Sequence, residues 1–198
     1  MRVIGGVHRS RRLLAPPDWQ TSRPMTDRVK QSLFDRLWSL GLVGEEAEGR
    51  FSLDLFCGTG GLGIEALSRG AKHCAFVEAN RRVRALLEKN LAELELADRA
   101  TVIGMDVLTG IWLNLLPRSQ LSRLGAIFCD PPYQLTRSHR EADRLANSLT
   151  QLAAMTPEEA VLIIRIDDHT EPINIDGWNA PEMHRYGSMV LCLYTHGA

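Results

Sequence analysis

Asp130-Pro131-Pro132-Tyr133 directly follows the apolar run Ala126–Cys129, and its residue types could do chemistry. Consecutive prolines remove two backbone donors and stop a strand, so a nearby carbonyl can face a pocket. That carbonyl and the Asp130 carboxylate make two fixed acceptors. Such a pair suits an exocyclic amine of a nucleobase: it can hold both amine hydrogens while the nitrogen lone pair turns toward an electrophile. Tyr133 offers a flat face to an extruded base. The plain alternative is a rigid Pro-Pro turn, with Asp130 as a cap and Tyr133 as an anchor. The setting favours chemistry, because the tetrad ends an expected fourth strand in a sheet whose first loop is glycine-rich.

That first loop is Asp54-Leu55-Phe56-Cys57-Gly58-Thr59-Gly60-Gly61-Leu62-Gly63. Gly58, Gly60 and Gly63 satisfy G-x-G-x-x-G, which lets a ligand approach the backbone at a helix start. Glu78 closes the second strand, where a carboxylate can accept from both hydroxyls of a ribose. Asp106, past the third strand, is placed to receive an adenine amino group. A dinucleotide oxidoreductase fits these features too. Asp54 argues against it, since a carboxylate before the glycines attracts the cationic end of a sulfonium cofactor and offers nothing to a pyrophosphate. The plain alternatives are a solvated strand-end carboxylate for Glu78 and a helix-capping carboxylate for Asp106.

Alternating strands and helices must position these groups. Thr26 can cap a helix with Val29, Leu33, Phe34, Leu37 and Trp38 on its buried face and Arg28, Lys30 and Asp35 outward. Strands are expected at Phe51–Phe56, His73–Glu78, Ala100–Gly104, Gly125–Asp130 and Ala160–Ile166. Between them lie helices over Leu62–Arg69, from Asn80 through Leu94, and over about Arg140–Met155. Glu182–Tyr186 and Met189–Tyr194 flank Gly187-Ser188 as a hairpin. The pattern predicts an α/β fold with a mostly parallel sheet and an antiparallel C-terminal hairpin.

The chain has 198 residues, of which 44% are hydrophobic, enough for one globular domain. The boundaries expected are a basic N-terminal arm and helix over residues 1–45 and a main domain over 46–198. Residues 1–36 carry a net charge of +5 and the remainder −6, within a total of −1. A basic arm on an acidic body points to a phosphate backbone as partner. Arg2, Arg9, Arg11, Arg12, Arg23, Arg28 and Lys30 are the candidate RNA-binding residues, holding phosphates without reading bases. The four cysteines form no CxxC pair, so neither a metal site nor a disulfide framework is expected. No apolar stretch is long enough to span a bilayer, and a cytoplasmic location without membrane association is expected.

Across most of its length the sequence resembles the RsmD family of ribosomal RNA guanine-N2 methyltransferases, within the class I methyltransferases. The resemblance rests on Arg23-Pro-Met-Thr-Asp-Arg-Val-Lys-Gln-Ser-Leu-Phe34, on Leu53 to Ala71 around the glycine loop, on Glu78, and on the tetrad. It implies a Rossmann-like fold with a seven-stranded sheet. It also implies S-adenosylmethionine as cofactor and a guanine of small-subunit (16S) ribosomal RNA as substrate, within a partly assembled subunit. Asp130, Pro131, Pro132 and Tyr133 would then be catalytic, and Asp54, Gly58, Gly60, Gly63, Glu78 and Asp106 would bind cofactor. The chain departs from the family pattern at Ser10, in place of a glycine, at Met25 and Cys57, and over residues 109–124. The alternatives are an adenine-N6 methyltransferase and a catalytically silent RNA-binding assembly factor.

Overall fold

The computed structural model describes residues 1–16, 25–44 and 49–197. Arg23 and the expected boundary between residues 45 and 46 therefore lie outside the described residues. Thr26 opens α1 (Asp27–Ser39), its hydroxyl accepting the Val29 N–H at 3.4 Å. The core then runs β1 (Phe51–Leu55), α2 (Gly63–Ser68), β2 (His73–Val77), α3 (Arg81–Glu93) and β3 (Ala100–Ile103). It continues through α4 (Arg118–Leu121), β4 (Leu124–Cys129), α5 (Tyr133–Arg137), α6 (His139–Ala153) and β5 (Val161–Asp167). The final hairpin is β6 (Glu182–Tyr186) and β7 (Met189–Thr195), turned at Gly187 with φ +61°.

The seven strands form one sheet in the order β3-β2-β1-β4-β5-β7-β6. The first five are parallel, and β7 pairs antiparallel with both β5 and β6. β4 and β5 are buried along their whole length, as expected of strands covered on both faces. On one face, Val29, Leu33, Phe34 and Leu37 of α1 pack with Ala126, Phe128, Ile163 and Leu193. The arm's first helix is thus a layer of the same core. Trp38, expected on the buried stripe, is instead 59% exposed. It sits in the last turn of α1, where its ring lies against Gly44.

The N-terminal segment doubles back through an Arg2–Arg12 bridge, with Val3 N–H donating to Arg11 O at 3.0 Å and Ser10 N–H to Val3 O at 2.9 Å. Ser10 turns this loop at φ +71°, a region disfavoured by any side chain with a Cβ. Ser10→Gly is expected to stabilise the protein by about 1 kcal/mol, raising the melting temperature by about 2–4 °C in a thermal scan.

Glu65 anchors the loop to α2. Its buried carboxylate accepts from Ile4 N–H and Gly5 N–H, both at 2.8 Å, and pairs with Arg69 at 2.8 Å and Lys30 at 3.2 Å. The expectation that Lys30 faces outward is therefore corrected. Its side chain is 3% exposed and its ammonium also donates to Arg2 O at 2.6 Å. The unfamiliar stretch at 109–124 is a core cover. Trp112 is fully buried in it, and its indole N–H donates to Val107 O at 2.9 Å and to Ser148 of α6 at 3.2 Å.

Candidate active site

Parallel strands deliver their C-terminal ends to one edge of the sheet, where an α/β fold binds its ligand. Four acidic residues from distant parts of the sequence meet there. The order β4, β1, β2, β3 sets Asp130, Asp54, Glu78 and Asp106 in a row along that edge. A pocket opens at the Asp130 end, lined by Asp54, Phe56, Cys57, Gly58, Gly61, Leu62, Asp130, Lys30, Met1 and Met25.

The acids brace the glycine loop. Asp54 accepts the Gly63 N–H at 2.7 Å, at the start of α2. Glu78 accepts the Gly58 N–H at 3.0 Å and the Asn80 N–H at 2.8 Å. Gly60 N–H donates to Cys57 O at 2.8 Å. The amides of Gly58, Gly60 and Gly63 are thus all bonded within the fold. Gly58 lines the pocket, whereas a Cβ on Gly63 would stand 2.3 Å from the Phe76 ring, and one on Gly60 would stand 2.5 Å from Leu87. Those two glycines let α2 and the loop pack on β2 and α3. Gly61, outside the motif, is the second glycine facing the pocket. Phe56, at φ +55°, bends the chain from β1 into this loop.

Burial dominates the electrostatics. Asp54 is 1% exposed, and desolvation pushes its carboxyl up to about 8, helped by the charges of Asp130 and Glu78 and opposed by the Gly63 N–H. Burial also raises Asp130, against the pull of Arg165. Lys30 is lowered by burial, against the pull of Glu65. Asp106 is exposed and caps the turn after β3, accepting the Leu108 N–H at 3.0 Å. Neither Glu78 nor Asp106 lines the pocket, but both lie along the edge that a longer ligand would cross.

The tetrad leaves β4 as expected. Asp130 N–H donates to Leu55 O at 3.2 Å, Pro131 is buried, and Pro132 starts α5 by accepting the Leu135 N–H at 2.9 Å. That bond engages one lone pair of the Pro132 carbonyl. Tyr133 is half-buried and its hydroxyl is raised by desolvation.

Sequence reasoning missed one residue of the site. Arg165 of β5 forms an ion pair with Asp130, with side-chain exposures of 2% and 24% respectively, and its guanidinium lies 5.1 Å from the Tyr133 ring centre. The signal was a lone arginine inside the apolar run Val-Leu-Ile-Ile-Arg-Ile.

Of the candidate RNA-binding residues, Arg9, Arg11, Arg12 and Arg28 are exposed. Arg11 also donates to Glu93 O at 3.2 Å, and Arg2 pairs with Asp27 at 2.8 Å while remaining 57% exposed. No helix among the described residues is long and apolar enough to cross a membrane, and no group of three or more acidic, His or Cys side chains among them could hold a metal ion.

The site can be set beside known proteins. YlbH of Bacillus subtilis strain 168, named as a candidate rRNA methyltransferase, is 41% identical over 134 residues, 68% of this chain and 67% of that protein. Ribosomal RNA small subunit methyltransferase D of Escherichia coli K12 is 38% identical over 134 residues. That alignment covers 68% of this chain and 61% of the E. coli protein. The solved structure of E. coli yhhF, titled as a candidate methyltransferase, superposes with a TM-score of 0.76 at 28% identity, covering 100% of this chain and 98% of that one. A family model described as Conserved hypothetical protein 95 matches residues 1–195. With a family model matching residues 1–195 and relatives 41% and 38% identical over 68% of its length, the chain belongs to the RsmD family of methyltransferases.

Proposed function

We propose that this protein methylates the exocyclic N2 of a guanine in small-subunit (16S) ribosomal RNA, using S-adenosylmethionine. The observation that supports this most is the convergence of Asp130 and Asp54 on one pocket, with the Pro-Pro-Tyr turn at its rim. The relatives' names supply the substrate class: YlbH is named for rRNA and the E. coli protein for small-subunit rRNA.

The residues present fit the cofactor. Gly58 and Gly61 leave room at the loop, and Asp54 and Asp130 offer negative charge to a cationic ligand. Bound there, S-adenosylmethionine supplies an electrophilic methyl group on a sulfonium. In this proposal Gly58 backs its methionine part, Glu78 accepts from the ribose hydroxyls, and Asp106 receives the adenine amino group. Gly60 and Gly63 act by shaping the loop.

The target amine donates one hydrogen to Asp130 and the other to the Pro131 carbonyl, which orients its lone pair. Tyr133 stacks on the flipped guanine. Holding both reactants in line supplies most of the acceleration, and the amine proton leaves by way of Asp130 or solvent. Arg2, Arg9, Arg11, Arg12, Arg23 and Arg28 hold phosphates of the RNA or of a partly assembled small subunit. Lys30 acts from inside, as the anchor of the arm.

The test is transfer of labelled methyl to unmodified small subunits, naked ribosomal RNA and duplex DNA, followed by nucleoside identification. N2-methylguanosine from a ribosomal substrate is expected, and the comparison of particle with naked RNA identifies the true substrate. Replacing Arg9, Arg11 and Arg12 together with alanine is expected to weaken RNA binding and to lessen its salt dependence by about 0.7–0.9 per lost phosphate contact on logarithmic axes. Label in N6-methyladenine, or no transfer despite cofactor binding, would overturn the proposal.

A further inference from the structure

We propose that Arg165 is a positioning residue, which holds the Asp130 carboxylate and the Tyr133 ring in the orientation that receives the target amine. This rests on the function proposed above.

Arg165 lies in a strand whose seven residues are all buried. A buried ion pair is poor value for stability alone, because an apolar side chain of similar volume would serve the fold as well or better. The cation is therefore explained by what it holds. It pairs with Asp130, the residue that ends β4, and its guanidinium covers one face of Tyr133 at 5.1 Å. Only the other face of that ring is left for a base.

Two positions further on, Asp167 shares the same side of β5. It accepts from Arg137 of α5 at 2.8 Å and from the His169 N–H at 2.9 Å. β5 thus clamps the acceptor segment at both ends, Arg165 at residues 130–133 and Asp167 at residue 137.

The charge of Arg165 has a second consequence. A target amine needs Asp130 as an acceptor, whereas a protonated carboxyl presents a donor in its place. The groups facing Asp130 are Arg165 from β5, Asp54 from β1, Lys30 from α1 and Tyr133 from α5. Burial favours protonation of Asp130, and Arg165 opposes it. Without Arg165 the carboxyl binds its proton to higher pH, and the acceptor is lost near neutrality.

The experiment compares wild type, Arg165→Met and Arg165→Lys in three readouts. Carboxyl NMR of protein labelled at aspartate, assigned with Asp130→Asn, follows the titration of Asp130 without requiring turnover. It is expected to move upward in Arg165→Met and to return toward wild type in Arg165→Lys. In methyl transfer, Arg165→Met is expected to lower kcat near neutral pH by about a hundredfold, with partial recovery at higher pH. Thermal scans identify variants that are merely unfolded.

An unchanged Asp130 titration and an unshifted pH–rate profile in a folded Arg165→Met protein would overturn the inference. So would equal loss in both variants with the wild-type profile, which would make Arg165 a structural pillar only. If the wild type itself transfers no methyl group, the proposed function fails, while the carboxyl titration still decides whether Arg165 controls Asp130.

Discussion

Asp130→Ala is expected to cost both methyl transfer and stability, and the two losses should separate when Asp130→Asn is measured beside it. Alanine removes one of the two acceptors and leaves the Arg165 guanidinium, 2% exposed, without the carboxylate it pairs with. Stranding a buried charge costs about 3 kcal/mol, which for a chain of this size lowers the melting temperature by about 6–12 °C. The lower end of the usual range applies because Asp130 is 24% exposed and water can reach part of the vacated site. Asparagine keeps the shape and one acceptor oxygen but not the charge, so its stability and activity should both fall between alanine and wild type. At a temperature where all three proteins are folded, alanine is expected to reduce kcat by at least about a hundredfold. Asp130→Ala activity close to wild type would remove Asp130 from the reaction. Loss of activity matched entirely by loss of folded protein would make it a structural residue. Calorimetric scans and single-turnover transfer on the same preparations distinguish these outcomes.

Asp54→Asn is expected to make the unliganded protein less sensitive to pH and to weaken cofactor binding. The folded carboxyl is held near 8 by burial, against about 4 in an unfolded chain. A carboxyl whose folded pKa is raised contributes its full stability below the unfolded value and loses it as pH rises to the folded value. Keeping Asp54 in the core therefore costs the wild type progressively more between about pH 4 and pH 8, reaching about 3 kcal/mol near pH 6. Asparagine does not titrate. Any cost of burying its amide is an offset independent of pH, so the variant's melting temperature should gain on wild type through that window. Asp130 is shifted in the same direction, so some slope remains in the variant.

Cofactor binding should show the complement. A cation beside Asp54 favours its ionised form, so binding below about pH 8 releases a proton and affinity rises with pH up to that point. Titration calorimetry in buffers of different ionisation enthalpy measures the released proton directly. Its persistence in Asp54→Asn would assign it to another group and detach Asp54 from the cofactor.

Much of the architecture was legible because its causes are local. Thr26 and Asn80 accept from amides two or three positions ahead, so their helices could be placed from adjacent residues. The apolar runs of β1, β4 and β5 marked parallel strands covered on both faces. Gly187 marked the hairpin. Trp38 misled, because helical periodicity gives a side chain's direction but not what the rest of the fold places beneath it.

For the candidate site, the acids could be placed from their positions on the strands: Asp54 is the penultimate residue of β1, Glu78, Asp106 and Asp130 come after β2, β3 and β4, and the parallel fold brings such ends to one edge. The tertiary structure alone decided what each charge meets. Lys30 looked solvated but is buried against Glu65, and both are held to the arm by backbone groups of Arg2, Ile4 and Gly5. The motif glycines looked like ligand contacts, yet the amides of Gly58 and Gly63 are taken by Glu78 and Asp54. Arg165 went unread in its apolar strand, and only the pairing of β4 with β5 sets it against Asp130. Strand and turn preferences depend on neighbours in sequence, whereas the energy of a buried charge depends on partners supplied by remote segments, and only the folded sheet brings those together.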